Sequence, residues 1–356
     1  MNYFKKDDLI SLMEDHANLI DIKITEGSSA LVSEYGGRLL GLFPTDNDPN
    51  LLWVNPNVVS VIKNNDWDIG GDRYWISPER EYFYTNPDKW EGWHCQKALD
   101  PANYEILGHK KNSCTLSTPL IIKNYNDGYF IQGEITRQFT VKEEPIETGL
   151  DAYCCIEIVD DCVLYRPDIK ANGWSLACVI CGGIQNPGTV LIPTKANPKP
   201  ISYFRQIPSE RLRIGPDHVS FKIDANDVYK LAIRPEDIDF KNPAKIGYFL
   251  KLSDNNEYGF LVKISNDIPH VQEDCFDISR DHPEAEIGVI QSYNSETPTN
   301  SPLRFGEIEL QLNKFQTIDN ASHGKAIHQI IAYIGSKDDI LEAMKLYLGI
   351  TNPLLF

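Results

Sequence analysis

The densest chemistry in this sequence lies between residues 66 and 96. There Asp66-Trp67-Asp68-Ile69-Gly70-Gly71-Asp72-Arg73-Tyr74-Trp75-Ile76-Ser77-Pro78-Glu79 is followed by Trp90-Glu91-Gly92-Trp93-His94, and four of the six tryptophans of the chain fall in this stretch. Indole faces stack on the C–H faces of a sugar ring, while Arg, Asp and Glu make planar or charge-assisted hydrogen bonds to hydroxyls. The same composition also suits a tryptophan-rich loop packed on a core. A further tryptophan, Trp174 in Lys170-Ala171-Asn172-Gly173-Trp174-Ser175-Leu176, and an acidic strand pattern, Phe305-Gly306-Glu307-Ile308-Glu309-Leu310-Gln311, stand further along the chain. Glu307 and Glu309 are two apart on a predicted strand and share a face, an arrangement that raises the pKa of one carboxyl.

The elements that must position these groups read as β structure. Runs such as residues 30–35, 129–139, 245–252 and 258–264 alternate apolar and polar residues, and turn signals at Asp127-Gly128, Asn172-Gly173, Asn186-Pro187-Gly188 and Asp254-Asn255-Asn256 separate such runs. The Asp254 turn joins two alternating runs as an antiparallel hairpin does. Helical patterning is confined to the ends, over about 6–20 and over 337–348, and everything between them reads as strand and turn. No βαβ alternation occurs, so the expected fold is mainly β, an antiparallel β-sandwich with short terminal helices, with residues 1–356 forming one domain. Residues 294–302 read as a surface loop rather than a linker.

Charge narrows the partners. With 34 Lys+Arg and 51 Asp+Glu the net charge is −17, which disfavours nucleic acid and other polyanions. No apolar run reaches the length of a membrane span and the N-terminus carries acids and lysines throughout, so a cytoplasmic protein that does not enter membranes is expected. The eight cysteines sit in strand-like text, including Cys178 and Cys181, and read as buried free thiols. Neither the acids around Glu273, Asp274, Asp277, Asp281 and Glu284 nor Asp254-Asn255-Asn256-Glu257 has calcium-loop spacing, and both read as solvated acidic faces. The histidines lack metal-ligand spacing, so neither a metal nor another cofactor is expected.

Three blocks together resemble the galactose mutarotase-like (aldose 1-epimerase-like) superfamily, in a divergent subgroup. They are Gly36-Gly37-Arg38 with the Asn50-Leu51-Leu52-Trp53-Val54-Asn55-Pro56 segment, Gly70-Gly71-x-Arg73-x-Trp75-x-x-Pro78-Glu79, and the Glu307–Gln311 strand. The resemblance implies a β-supersandwich that binds a saccharide in a cleft including Arg73, Trp75, Glu79, Trp93, Trp174, Glu307 and Gln311. It also implies a general base removing the proton of the C1 hydroxyl while an acid protonates the ring oxygen. Glu309 matches the family's base, and Glu307 is the alternative if the register differs by one pleat. The family's central His-containing segment has no counterpart here; Trp174 stands at that stage and cannot deliver a proton at neutral pH. His94 resembles the family's first sugar-contacting His, which implies a substitute acid or a donor to a sugar hydroxyl. Two functions follow: an epimerase-like enzyme acting on a neutral mono- or oligosaccharide, or a non-catalytic saccharide-binding or sensing protein that keeps the fold without the acid. A partner-binding protein that only retains the fold is a third. The oligomeric state is open.

Overall fold

The computed structural model describes residues 4–25, 27–150, 152–252, 256–278, 287–296 and 304–356. Two large antiparallel sheets dominate. The first has nine strands in the order Leu19–Thr25, Ser28–Ser33, Arg38–Phe43, Asp72–Ser77, Asn172–Ile180, Phe305–Lys314, Ile290–Glu296, Asn226–Ile233 and Ile201–Ser202. The second has eleven strands, with Tyr153–Leu164, Ala321–Gly335 and Tyr258–Ser265 at its centre. They pack face to face. Ile76, Ala177, Ile308 and Leu310 of the first sheet share one apolar core with Ile135, Ile158, Leu261 and Ile330 of the second. This is the antiparallel sandwich anticipated from alternation, and burying both inner faces at about 25 cal/mol per Å² of apolar area is its main stabilisation.

The C-terminal helix runs over Lys337–Leu348, as expected; the Ser336 hydroxyl accepts from the Asp339 N–H and Gly349 closes it in the left-handed conformation at φ 72°. Its Ile340, Met344 and Tyr347 cover the outer face of the second sheet beside Phe260 and Tyr333. The N-terminal helix departs from expectation. It spans only Lys6–Met13, and Leu19 and Ile20 begin a strand instead, because Ile20 and Ile22 alternate toward the core. Two further helices, Val58–Lys63 and Glu79–Phe83, interrupt the region expected to be all strand. Asn172-Gly173 is likewise not a turn but the start of a buried strand, where the Asn172 side chain donates to the carbonyls of Asp274 and Leu312. The strands flanking the expected Asp254 hairpin do pair antiparallel, Lys251 opposite Tyr258, while residues 253–255 themselves lie outside the described residues. Asp281, His282, Glu284 and most of the 294–302 loop lie outside them as well.

Register places the chemistry. Along Asp72–Ser77 the side chains alternate, so Asp72 and Tyr74 enter the inter-sheet core while Arg73 and Trp75 face away from the second sheet. Trp174 lies opposite Trp75, Leu176 opposite both Arg73 and Glu309, Cys178 opposite Glu307, and Tyr293 opposite Glu307 and Lys230. A single outward row therefore crosses five adjacent strands. The segment after Ser77, with its short Tyr84–Asn86 and Glu91–Trp93 hairpin, folds over this row.

Candidate functional site

A cavity of about 610 Å³ opens on this outward face of the nine-stranded sheet. One wall is indole: Trp67, Trp75, Trp93 and Trp174. Trp75 meets Trp67 and Trp174 edge-on with centroids 5.5 and 5.7 Å apart, and Trp67 meets Trp93 at 5.5 Å. Three of these rings are pinned by carboxylates. Trp75 Nε1 donates to Asp100 at 2.8 Å, Trp93 Nε1 to Glu79 at 2.8 Å, and Trp174 Nε1 to Glu309 at 3.0 Å. With each N–H engaged, the rings are fixed; Trp75 and Trp174 are buried beside Arg73 and Lys230, and Trp93, 38% exposed, is the ring left open to a ligand. The opposite wall carries Phe204, Tyr293 and Phe305, and Tyr84 completes the lining.

The Gly70-Gly71 turn exists for this wall. Both residues have positive φ, 87° and 75°, and a side chain at Gly70 would stand 2.2 Å from the Trp53 carbonyl oxygen, one at Gly71 2.5 Å from that of Leu39. Arg38 holds the turn from below, donating to Gly70 O at 2.8 Å, to Trp67 O at 2.6 Å and to the Asp100 carboxylate that also orients Trp75. Asn50 donates to Leu40 O and accepts from the N–H of Leu52, and Asn55 donates to Asp68 O. The Gly36-Gly37-Arg38 and Asn50–Pro56 blocks are thus supports for the indole wall and contribute no lining residue.

Charge in the cavity is arranged in pairs. The Arg73 guanidinium donates to Glu307 Oε1 at 2.6 Å and to Cys178 Sγ at 3.1 Å, and lies 4.2 Å from the Trp75 ring centroid. Burial opposes its charge, but Glu307, Cys178 and Asp100 together outweigh this and hold Arg73 above the usual guanidinium range. Arg205 pairs with Asp227 at the rim. Lys230 reaches Glu309 Oε2 at 3.2 Å and sits 4.4 Å from the Trp174 ring. Burial would lower the Lys230 pKa, yet Glu309, Asp277, Glu79 and Glu307 together raise it, so it stays an ammonium. Burial pushes Glu79 up, with Asp277 and Glu307 adding to it against Lys230.

The two strand carboxylates separate in depth. Glu307 lines the cavity, whereas Glu309 is completely buried, one layer down beneath Trp174 and Lys230. Burial, then the neighbouring Glu307 and Asp277, outweigh Lys230 and push Glu309 up to about 7. Among the described residues Glu309 Oε1, Gln291 Oε1 and Gln311 Nε2 find no hydrogen-bond partner. Gln311 is equally buried, held by Ser77, and does not line the cavity.

Of the residues singled out in the sequence, the structure brings Arg73, Trp75, Glu79, Trp93, Trp174 and Glu307 to one cavity and puts Glu309 and Gln311 behind its floor. His94 does not join them. Its neighbour Trp93 faces the cavity, but His94 is the first residue beyond the Glu91–Trp93 strand and lies elsewhere, where its Nε2 meets Tyr125 Oη at 2.9 Å and its Nδ1 lies 3.3 Å from Gly92 O. It therefore stands outside the lining as a candidate acid. Asp277, expected on a solvated acidic face, is instead buried below the site and accepts from the Glu79 N–H and Gln291 Nε2, both at 3.1 Å. All eight cysteines are buried and free, and Cys178 contacts the Arg73–Glu307 pair. Lys230, Tyr293, Phe204 and the Arg205–Asp227 pair were not anticipated. The signal available was a lysine at the centre of an apolar strand, Val228-Tyr229-Lys230-Leu231-Ala232-Ile233.

Residues 2–167 match a family of unknown function (DUF6786). No curated protein matches the chain at a significant level. Among solved structures, the chain is similar to a galactose mutarotase-related enzyme from Lactobacillus acidophilus, at 11% identity over 90% of this chain and 99% of that one, with a TM-score of 0.47. A GalM/aldose epimerase homologue from C. elegans shares 10% identity over 90% and 99%, with a TM-score of 0.45. A galactose 1-epimerase from Lactobacillus acidophilus NCFM shares 10% over 94% and 97%, with a TM-score of 0.47. At such identities the similarity concerns the path of the chain and not its side chains. Among the described residues no helix is long and apolar enough to cross a membrane.

Proposed function

We propose that this protein binds a neutral saccharide in the cavity of the nine-stranded sheet. The observation that carries this reading is the pairing of fixed indole faces with cations that already have carboxylate partners: Arg73 with Glu307, Arg205 with Asp227, and Lys230 with Glu309. A phosphate or carboxylate ligand would have to displace one of these pairs, whereas a hydroxyl can donate to Glu307 or Glu79 and accept from Arg73 or Lys230 without breaking any. The exposed ring of Trp93 suits the C–H face of a sugar ring. The resemblance of the Gly70–Glu79 and Glu307–Gln311 blocks to the mutarotase-like superfamily agrees with this choice.

A catalytic reading is favoured by one further observation. Glu79, its carboxyl raised by burial and held by Trp93, shares the cavity with Glu307, held by Arg73. A carboxyl whose pKa is raised and an ion-paired carboxylate on one cavity are the pair of groups that opening a hemiacetal calls on: Glu307 to take the C1 hydroxyl proton and Glu79 to deliver one to the ring oxygen. Glu309 would act only by setting the position of Trp174 and Lys230.

Quenching of tryptophan fluorescence by a panel of neutral mono- and disaccharides tests binding. Saturable quenching by at least one sugar is expected, weakened by Trp93→Ala; a flat response across the panel would sink the proposal. Proton NMR of freshly dissolved α-anomers tests catalysis: acceleration lost in both Glu79→Gln and Glu307→Gln is expected, and binding without acceleration leaves a saccharide receptor.

A further inference from the structure

A second concave surface lies on the eleven-stranded sheet, a groove of about 810 Å³ between the start of the Phe130–Val141 strand and the chain leaving Tyr153–Leu164. Its apolar members are unusually exposed: Phe130 is 67% exposed, Tyr165 59% and Ile121 55%. Two exposed rings and an isoleucine gathered around one groove offer apolar surface to a ligand. Between them stand hydrogen-bonding groups held in place. The Arg166 guanidinium lies 3.7 Å from the Tyr129 ring centroid, and Asp168 accepts from Thr317 Oγ1 at 2.9 Å while its own N–H donates to the same oxygen.

A run of neighbouring residues lies between the cavity and the groove. Trp93 forms part of the cavity wall, and the next residue, His94, meets Tyr125 through a hydrogen bond of 2.9 Å with ring centroids 5.5 Å apart. Lys123 Nζ then lies 5.2 Å from the Tyr125 ring and 6.0 Å from that of Phe130, which forms the near wall of the groove. The path alternates aromatic rings with donors and acceptors from one depression to the other.

We propose that this groove is a second saccharide-binding surface, and that the protein recognises an extended neutral glycan, one end of which occupies the cavity while the chain runs past Tyr125 to Phe130 and Tyr165. The proposal rests on the saccharide reading of the cavity. Rings interleaved with polar groups suit a chain whose every unit has a C–H face and a hydroxyl rim, and a polyanion is repelled by the net charge of −17. One glycan engaging both depressions gains through effective concentration.

Calorimetric titration with linear neutral glucans, mannans, galactans and xylans, each from monosaccharide to octasaccharide, tests this. In the series that binds, affinity should rise roughly tenfold or more with length. Phe130→Ala combined with Tyr165→Ala should remove that rise and leave monosaccharide binding intact, whereas Trp93→Ala should weaken short and long ligands alike. Both replaced rings are exposed, and circular dichroism melts check that the variants fold. Affinity independent of length, or a length dependence that survives the double substitution, overturns the groove and leaves the cavity reading standing. A dimer in sedimentation that the double substitution dissolves also overturns it, because the groove would then be a contact between copies. If no sugar of any length binds, the cavity reading falls and the groove with it.

Discussion

Asp72 and Arg73 are neighbours on one strand, and each anchors a buried ionic cluster on its own side of the sheet. On the inner side, between the sheets, Asp72 receives Lys263 at 2.7 Å and Arg137 at 2.9 Å; Arg137 reaches on to Asp160 at 2.7 Å, and Asp160 to His328 at 2.9 Å. Ser175 completes the set. Every carboxylate oxygen is engaged and every side chain is fully buried. On the outer side both hydrogen bonds to Glu307 arrive at Oε1, Glu309 Oε1 and Arg73 Nε are unpartnered among the described residues, and the cluster opens on a cavity. The two clusters have similar charges and burial. What separates them is what they face: the inner network leaves only His328 Nδ1 unpartnered among its described side chains and ties two sheets together, while the outer one presents Arg73, Lys230 and Glu307 to a cavity where a guest can bind.

The comparison breaks most visibly at Asp72. Replacing it with Ala leaves Lys263 in the core without a carboxylate and Arg137 with Asp160 alone, and a loss of about 3–5 kcal/mol is expected in urea unfolding, enough to abolish folding in a marginal protein. Glu307→Gln should act in the opposite sense: binding or turnover falls about 10²-fold while the unfolding midpoint moves little, since Cys178 and the amide still offer Arg73 acceptors. A Glu307→Gln variant as unstable as Asp72→Ala would erase the distinction.

The pH dependence sharpens it. Burial would raise the Asp72 carboxyl, but Lys263 and Arg137 hold it well below its ordinary 3.8, so its stabilisation is present above that value and is lost only as pH falls further. Glu309 has the reverse sign. Raised from 4.5 to about 7, it contributes stability that is full below 4.5 and lost as pH rises through about 7. Thermal melts between pH 5 and 8 should therefore fall by on the order of a few degrees in the native protein relative to Glu309→Gln. A parallel decline in the two proteins would remove Glu309 as the cause. The smallest effect is expected at His94→Ala: saccharide binding at the cavity stays within about twofold, because neither ring nitrogen faces it and a surface replacement of this kind costs about 0.5 kcal/mol or less. A large loss of monosaccharide affinity there would return His94 to the site.

Much of the site was legible because its signals are local. Arg73, Trp75, Glu79 and Trp93 lie within about twenty residues, and their composition alone pointed to stacking and hydrogen bonding of a sugar. The blocks around Arg38 and Asn50 were legible as motifs but not as supports; that role appears only when Arg38 is seen under Gly70 and Asp100. His94 lies apart from the cavity because the strand ends at Trp93 and the chain leaves it there, a boundary that closeness in sequence does not show. Lys230 and Tyr293 were missed because they enter the site through strand pairing with residues distant in sequence.

From the sequence by itself came the antiparallel sandwich, the outward row shared by Glu307 and Glu309, and the aromatic and acidic character of the site. These follow from alternation and composition, which are properties of short stretches of chain. Only the tertiary structure decided that Glu307 meets the cavity while Glu309 lies beneath Trp174 and Lys230, that His94 points toward Tyr125, and that Asp277 is buried. Depth along a shared face depends on what covers it, and the cover here comes from strands and loops far away in the chain, whose positions are set by register and packing rather than by any local pattern.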